Sequence, residues 1–175
     1  MLSKVYPLSA LHPDDPAINP SIVVQHMSTY WAILEKVRGS TIKLTKLDDE
    51  IYEHLKVDFP DFDPAATINE DEMKSKTGKE RWRKFMMAYE KKISDYNFGT
   101  MLRGDPKWEY GQDETIFGTL EGLRVLRENC ANRFPVPRMQ FYAIEIARNR
   151  AGLNDWVFEG QQKNKAGGEV EESKS

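Results

Sequence analysis

The sequence has few of the residues that support disulfides, metal sites or nucleophilic catalysis. It contains one cysteine, Cys130, and three histidines among 175 residues. A single cysteine excludes an intramolecular disulfide and favours a reducing, intracellular compartment. Because no histidine lies near Cys130 in the sequence to activate its thiol, we interpret it as a packed side chain.

Long hydrophobic runs and an excess of positive charge are also missing. No segment approaches the roughly 18 apolar residues that a membrane-spanning helix needs, and the N-terminus has no apolar stretch typical of a signal peptide. The formal net charge is −3, and 30% of the residues are charged. The composition therefore predicts a cytoplasmic globular protein without membrane association, and it does not favour direct binding of nucleic acid.

Motifs of the common enzyme classes are absent from the sequence. It contains no GxGxxG, GxxxxGK[ST], HExxH, CxxC or GxSxG pattern, each of which would place reactive or phosphate-binding groups at a fixed spacing. We therefore expect a binding protein without catalytic residues, cofactor or metal. An enzyme built from dispersed residues remains an alternative, because the sequence does not show which carboxylates meet in space.

The stretch Pro137–Asp155 is the most apolar part of the chain and predicts a central core helix. Its apolar residues cover nearly every side of a helix with 3.6 residues per turn. Such a helix is stable only with other elements packed around it. Pro137 suits the first helical position, and Gly152 suits the left-handed conformation that ends a helix. The apolar residues are Met139, Phe141, Tyr142, Ala143, Ile144, Ile146 and Ala147.

Helical periodicity predicts three further elements. Residues 21–39 form the first helix, and residues 47–59 form the second, whose acidic first turn is favoured by the helix dipole over a cation site. Residues 74–99 form the longest amphipathic helix. Its apolar stripe consists of Trp82, Phe85, Met86, Tyr89, Ile93 and Tyr96.

Together these elements predict a mainly α protein, a compact bundle of about four to five helices around a buried C-terminal helix. Residues 1–20 are predicted to form a loosely ordered arm, because they contain four prolines and no sustained period. Residues 21–158 form the single domain. Residues 159–175 are polar and glycine-rich, which predicts a disordered tail.

Two places are candidates for binding a partner. The first is the loop after the long helix, where residues tolerant of positive φ lie next to Phe98 and Arg103, both expected to be exposed. The second is the polar end of the core helix. The candidate residues are Tyr96, Asn97, Phe98, Gly99, Arg103, Glu145, Arg148, Asn149 and Arg150.

Both places also have a purely structural interpretation. Asn97 and Gly99 suit helix C-capping, arginines at a helix C-terminus are favoured by the dipole, and Glu145 is spaced to pair with Arg148. The basic first half of the residue 74–99 helix has two interpretations as well. It is either a solvated face or a surface for RNA or an acidic partner.

Four segments carry a resemblance to a known family. They are LDDEIYEHLKVDFP, KSKTGKERWRKF, SDYNFGTMLR and MQFYAIEIARNRAGLND. They resemble the polysaccharide biosynthesis domain-containing proteins, whose yeast member is a ribosome-associated chaperone of translation elongation factor 1-alpha. The resemblance extends from Val24 to Trp156 with one interruption.

This resemblance implies a mainly helical, cytosolic domain that associates with translating ribosomes. It implies binding of the nascent GTP-binding domain of elongation factor 1-alpha, assisted by the nascent polypeptide-associated complex. The family name reflects a related domain in plant xylan proteins that methylate glucuronic acid. This chain has no glycine-rich loop for a methyl donor, so we interpret the family name as a label and not as an activity. The alternatives are a methyl- or glycosyl-transfer enzyme of polysaccharide biosynthesis and an RNA-binding adaptor.

Residues 118–137 depart from the family pattern. Relatives run from a TIF-like string almost directly into the core helix, whereas here an extra segment separates Thr115-Ile116-Phe117 from Arg138. The segment is either a surface insertion that leaves the core intact, which costs little entropy, or the product of a gene-model error. Sequencing the mature transcript distinguishes the two.

Overall fold

The structure, a computed structural model, describes residues 20–109 and 133–172. Within these ranges the chain forms six α-helices, a short 3₁₀ turn and one two-stranded antiparallel sheet. The predicted mainly α class is confirmed, although no strand was predicted. The elements are α1 Pro20–Lys36, the turn Gly39–Thr41, α2 Asp48–Asp58, α3 Glu70–Lys74, α4 Lys76–Met87, β1 Gly99–Arg103, β2 Arg133–Pro137, α5 Arg138–Arg150 and α6 Asp155–Glu172.

Helix α5 is the central core helix that the sequence predicts. It contacts α2, α4, both strands and the 3₁₀ turn, and apolar residues of its whole circumference are buried. Gly152 follows it with φ of +71°, as predicted for the residue that ends this helix. Burial on most sides explains the apolar residues in the first half of α5, where Arg138 and Tyr142 are only partly buried.

The loop before β1 caps the N-terminus of α5. The first backbone N–H groups of a helix have no partner within the helix. Here the amide of Arg138 donates to the carbonyl of Phe98 at 2.7 Å, and the amide of Met139 donates to the carbonyl of Tyr96 at 2.9 Å. The backbone at residues 96–98 is thereby fixed to the core helix.

Strand β2 leads directly into α5 and pairs with β1. In this register Gly99 lies opposite Pro137, and Arg103 lies opposite Arg133. Residues 133–137 fall at the end of the predicted insertion 118–137, yet they belong to this sheet. The rest of the predicted insertion, residues 118–132, lies outside the described residues, as do Cys130 and residues 1–19.

The prediction of one long helix over residues 74–99 is wrong, because α4 ends at Met87. The chain continues in tight turns, in which Tyr89 N–H donates to Met86 O at 2.9 Å and Tyr96 N–H donates to Ile93 O at 3.3 Å. These turns repeat every three to four residues. The predicted apolar stripe is therefore buried without a continuous helix.

Helices α3 and α4 are separated at Ser75, which is the N-cap of α4. Its hydroxyl oxygen accepts a hydrogen bond from Gly78 N–H at 3.1 Å, which is the usual role of serine at this position. Asn69 caps α3 in the same way, through Glu72 N–H at 3.2 Å. Helix α3 lies in a region expected to be loop.

The prediction of a disordered tail from Glu159 is wrong as far as Glu172, because α6 extends over these residues. Contacts with α1 and with the residues that follow it explain the difference. Arg38 pairs with Glu159 at 2.6 Å, and Gln161 donates to Glu35 at 3.2 Å. The predicted packing of the segment after Asp155 is confirmed, since Val157 is buried.

Candidate functional site

Four of the predicted site residues lie together beneath the surface, in a cluster that we call the Glu145 network. Arg103, Glu145 and Arg148 have no exposed surface, and Asn149 is 3% exposed. The expectation that Arg103 is exposed is therefore wrong. Strand β1 supplies Arg103, and α5 supplies the other three residues, which come from the polar end of the helix.

The carboxylate of Glu145 is the centre of this network. It accepts hydrogen bonds from the hydroxyl of Tyr30 at 2.7 Å and from the side-chain amide of Asn154 at 2.9 Å. Arg148 donates to it at 2.8 Å, which confirms the predicted pairing along the helix, and Arg103 donates at 3.2 Å. Each carboxylate oxygen thus has charged or polar donors.

Both arginines also donate to backbone carbonyls of the chain after β1. Arg103 reaches the carbonyls of Pro106 and Trp108 at 3.1 and 3.0 Å. Arg148 reaches the carbonyls of Arg103 and Gly104 at 2.9 and 3.2 Å. These four carbonyls help to offset the charge excess of two guanidinium groups over one carboxylate, and the turn at residues 104–108 is held in place.

The two arginines decide the charge state of Glu145. Burial by itself would raise the pKa of this carboxyl, but the guanidinium groups of Arg103 and Arg148 and the hydroxyl of Tyr30 outweigh burial. They lower its pKa to about 2. Glu145 is therefore ionised at neutral pH, and the network resembles a structural ion pair more than a general acid or base.

Sequence reasoning missed two members of the network, Tyr30 and Asn154. The Tyr30 hydroxyl accepts from Asn149 at 3.2 Å, and Asn154 donates to Asn149 Oδ1 at 2.7 Å. Tyr30 belongs to the apolar stripe of α1, so its periodicity indicated only core packing. Asn154 follows a helix end, where asparagine has many uses, and no local pattern links either residue to Glu145.

The exposed part of the candidate site surrounds Phe98, whose side chain is 48% exposed. The predicted exposure of Phe98 is therefore confirmed. Its amide donates to the carbonyl of Asp95 at 3.0 Å, and the guanidinium carbon of Arg138 lies 5.5 Å from the ring centroid. An arginine at this distance is attracted to the face of an aromatic ring.

Polar side chains hold Arg138 in place beside the ring of Phe98. Asp95 accepts from Arg138 at 2.7 Å and from the hydroxyl of Tyr142 at 2.9 Å. Burial, followed by the negative charge of Asp95, raises the pKa of Tyr142 to about 12, so Tyr142 remains a donor. We call the group Asp95, Asn97, Phe98, Arg138 and Tyr142 the Phe98 surface.

His26 lies beneath this surface. Its Nδ1 is 2.7 Å from the hydroxyl oxygen of Thr100, and its ring meets that of Phe141 edge-on with centroids 4.8 Å apart. Burial, followed by the positive charge of Arg138, lowers the pKa of His26 to about 4, although Asp95 acts in the opposite direction. The imidazole is therefore neutral at physiological pH.

The remaining predicted residues occupy different environments. Tyr96 is buried at 7% exposure, while Asn97 and Gly99 are half-buried on either side of Phe98. Arg150 is exposed and separate from them, because it pairs with Asp49 of α2 and lies 4.7 Å from the ring of Tyr52. The structure thus brings Asn97, Phe98 and Gly99 together at the surface and buries the Glu145 network.

The acidic side chains in the first turn of α2 have partners within the protein. Asp48 accepts from the amides of Leu44 and Thr45 at 2.9 and 2.7 Å, and Glu50 pairs with Lys92. Over residues 20–109 and 133–172, no group of three histidine, cysteine or acidic side chains is arranged to hold a metal ion. No helix in the same ranges is long and apolar enough to span a membrane.

Comparisons with known proteins identify the relatives of this chain. The model of a family described as PBDC1 protein matches residues 20–159. A PBDC1 homologue of Schizosaccharomyces pombe is 53% identical over 137 residues, covering 77% of this chain and 81% of that protein. A homologue of Saccharomyces cerevisiae is 47% identical over 139 residues, covering 78% and 83%. Human PBDC1 is 34% identical over 152 residues, covering 83% and 57%.

A solved structure has the same fold. It is the solution NMR structure of protein yst0336 from Saccharomyces cerevisiae, which is 45% identical to this chain. The two superpose with a TM-score of 0.63, and the match covers 79% of this chain and 84% of that chain.

Proposed function

Because the chain belongs to the PBDC1 family, we propose that it is a non-enzymatic chaperone or adaptor for nascent translation elongation factor 1-alpha. It binds the GTP-binding domain of this client at the ribosome, with the nascent polypeptide-associated complex as a further partner. It acts in the cytoplasm and shields apolar client surface until the client folds. The client is the one that the resemblance of the four sequence segments implies.

The exposed ring of Phe98 is the observation that carries this proposal. Large aromatic side chains contribute much of the binding energy at protein interfaces. A ring that is 48% exposed while its own backbone is fixed to the core helix is suited to such a contact. Little conformational entropy is lost when a partner covers it, because the loop is already ordered.

The Glu145 network has an indirect role in this proposal. Phe98 immediately precedes β1, and Arg103 ends it. The N-terminus of α5 holds the first end of the strand, and Arg148 and Glu145 hold the second. We assign client contact to Asn97, Phe98 and Gly99, and positioning of this loop to Arg103, Glu145, Arg148 and Asn149.

Two predicted residues take other roles. Tyr96 contributes through its carbonyl, which caps α5, because its side chain is buried. Arg150 is accessible, but it lies with Asp49 and Tyr52 of α2 and not with Phe98. Its substitution should therefore leave client contact at the Phe98 surface unchanged.

An RNA-binding adaptor is the second candidate, supported by basic residues on α4. Lys76, Arg83 and Lys84 are exposed, and a basic helix face can contact phosphates. This function predicts an affinity for RNA that falls steeply with salt, whereas binding through the Phe98 surface depends mainly on apolar contact. Fluorescence anisotropy with labelled RNA at two salt concentrations separates the two candidates.

The proposal is tested by purifying the tagged protein from cells with and without a treatment that releases nascent chains from ribosomes. Sequencing of the messenger RNA in the purified ribosomes identifies the nascent chains. We expect enrichment of elongation factor 1-alpha messages, lost after release. Equal recovery of all messages from cells that express the folded protein would contradict the proposal.

The transferase alternative is tested separately by calorimetric titration. The titrants are S-adenosylmethionine and a nucleotide sugar, which are the donors that methyl- and glycosyl-transfer enzymes bind. We expect no saturable heat from either titrant. Saturable binding of one of them at micromolar concentration would contradict the non-enzymatic proposal.

A further inference from the structure

A cleft lies on the part of the surface formed by the loop between α2 and α3 and by the first turns of α4. Its volume is about 300 Å³. Phe59, Phe62, Ile68, Met73 and Trp82 supply its apolar lining. It shares no residue with the Phe98 surface or with the Glu145 network.

The aromatic side chains that line this cleft are held in position by contacts within the protein. The ring of Phe59 stacks on that of Trp82, with centroids 4.3 Å apart and an interplanar angle of 27°. Arg81 covers the Phe59 ring at 4.5 Å and donates to the carbonyl of Asp58 at 2.8 Å. These contacts fix the orientation of both rings.

The base of the cleft is equally constrained. A Cβ atom on Gly78 would lie 2.4 Å from the carbonyl oxygen of Glu72, so glycine is required for the close approach of α3 and α4. The loop is tied to the turn after β1, because Ile68 N–H donates to Gly104 O at 2.8 Å and Thr67 donates to Asp105 at 2.7 Å. The cleft is therefore preorganised, as binding sites usually are.

Carboxylates line the cleft beside its apolar wall. Asp61, Asp63 and Glu72 are exposed. Among the described residues of the lining, the guanidinium of Arg81 supplies positive charge, but it is engaged with Asp58 and Phe59. The cleft thus combines an apolar recess with an excess of negative charge, which favours a cationic partner over an anionic one.

We propose that this cleft binds a peptide segment in which an aromatic or large aliphatic side chain is flanked by lysine or arginine. The apolar side chain enters the recess against Phe62 and Met73, and the flanking cations lie near Asp61 and Asp63. A volume of about 300 Å³ accommodates one such side chain. Nucleic acid is disfavoured here because its phosphates would meet carboxylates.

The first test compares two capped peptides that differ only in charge. One has a phenylalanine between two pairs of lysines, and the other has the same phenylalanine between two pairs of glutamates. Each is titrated into the isotope-labelled full chain, and the amide and indole signals of residues 59–82 are followed by NMR. We expect the lysine peptide to bind at least about tenfold more tightly than the glutamate peptide. Its affinity should fall as salt is added.

Two matched variants locate the binding site. Ala66 and Ala65 are both exposed, but only Ala66 lines the cleft. Ala66→Phe should fill the recess and lower the affinity for the lysine peptide by about tenfold or more. Ala65→Phe should leave this affinity unchanged. Asp61→Asn should reduce the salt dependence of binding.

Three results would overturn the inference. They are equal affinity of the two peptides, unchanged affinity of the Ala66→Phe variant, and a dimer in analytical ultracentrifugation that this variant abolishes. The third result would assign the cleft to a second copy of the chain. None of these outcomes depends on elongation factor 1-alpha, so this inference and the proposed function fail or succeed separately.

Discussion

The guanidinium group of Arg103 lies within 3.4 Å of both carboxylate oxygens of Glu145, although 42 positions separate the two residues in the sequence. Neither side chain is exposed. A buried ion pair is stable only when further hydrogen bonds satisfy its polar atoms. Here Tyr30, Arg148 and Asn154 complete the environment of the carboxylate.

Substitution of Glu145 by glutamine should strongly destabilise the fold. The substitution keeps the size of the side chain but leaves two buried guanidinium groups without an anion, which costs about 3–5 kcal/mol. Urea unfolding measures the change. A loss below about 1 kcal/mol would contradict the assigned role of the network.

Asp49→Asn is the matched control for this substitution. It also removes the carboxylate partner of an arginine, but the Asp49 side chain is 80% exposed. Exposed ion pairs contribute little to stability. Because Asp49 also lies in the first turn of α2, where the helix dipole favours negative charge, the free energy of unfolding should fall slightly, and far less than in Glu145→Gln.

Acid should destabilise the protein through Glu145 in a defined pH window. The pKa of this carboxyl is lowered from 4.5 to about 2 in the folded state, so its stabilisation is complete above pH 4.5 and is lost as the pH falls towards 2. The difference between the two pKa values corresponds to roughly 3 kcal/mol in the free energy of unfolding. Urea unfolding across this window should show a shallower pH dependence for Glu145→Gln.

His26 should give a second pH dependence at higher pH. Its pKa falls from 6.5 to about 4 on folding, so the unfolded chain binds the proton more readily between these values. Stability is therefore full above pH 6.5 and decreases as the pH falls towards 4. In His26→Gln this decrease should be smaller, and an unchanged slope in urea unfolding would contradict the assignment.

Gly39 should not tolerate a side chain. A Cβ atom there would lie 2.7 Å from Asn149 Oδ1 and 2.8 Å from Asn154 Cβ, and such overpacking costs about 1–3 kcal/mol. Gly39→Ala should therefore lower the melting temperature. Gly160→Ala is the control, because a Cβ atom there meets nothing within 4 Å, and alanine within helix α6 should maintain or raise the melting temperature.

Local sequence patterns predicted the elements that local forces determine. Helices α1, α2 and α5 follow from apolar periodicity, and Gly152 follows from its place after the last helical residue. The pairing of Glu145 with Arg148 follows from helical spacing. Each of these relationships lies within a few residues of chain.

Contacts between segments that are far apart in the sequence could not be predicted from local patterns. The burial of Arg103 depends on Glu145, and the extension of α6 is accompanied by the contact of Arg38 with Glu159. The pairing of β1 with β2 joins segments on either side of residues 110–132. The end of α4 at Met87 was missed because tight turns preserve the spacing of the apolar stripe.

The central claim is that the Phe98 surface contacts the client, and Phe98→Ala tests it most directly. Val57→Ala is the matched control, because Val57 is 75% exposed on α2 and lies outside this surface. Both variants should remain folded at the temperature of the binding assay, because Val57 is exposed and Phe98→Ala removes the contact of a half-exposed ring with Arg138.

The decisive measurement is the affinity of each variant for ribosomes stalled with the GTP-binding domain of elongation factor 1-alpha outside the exit tunnel. Loss of an aromatic anchor costs about 2 kcal/mol, or roughly 30-fold in affinity. We predict this loss for Phe98→Ala and none for Val57→Ala. Equal binding by the folded Phe98→Ala variant and the unmodified protein would contradict the account.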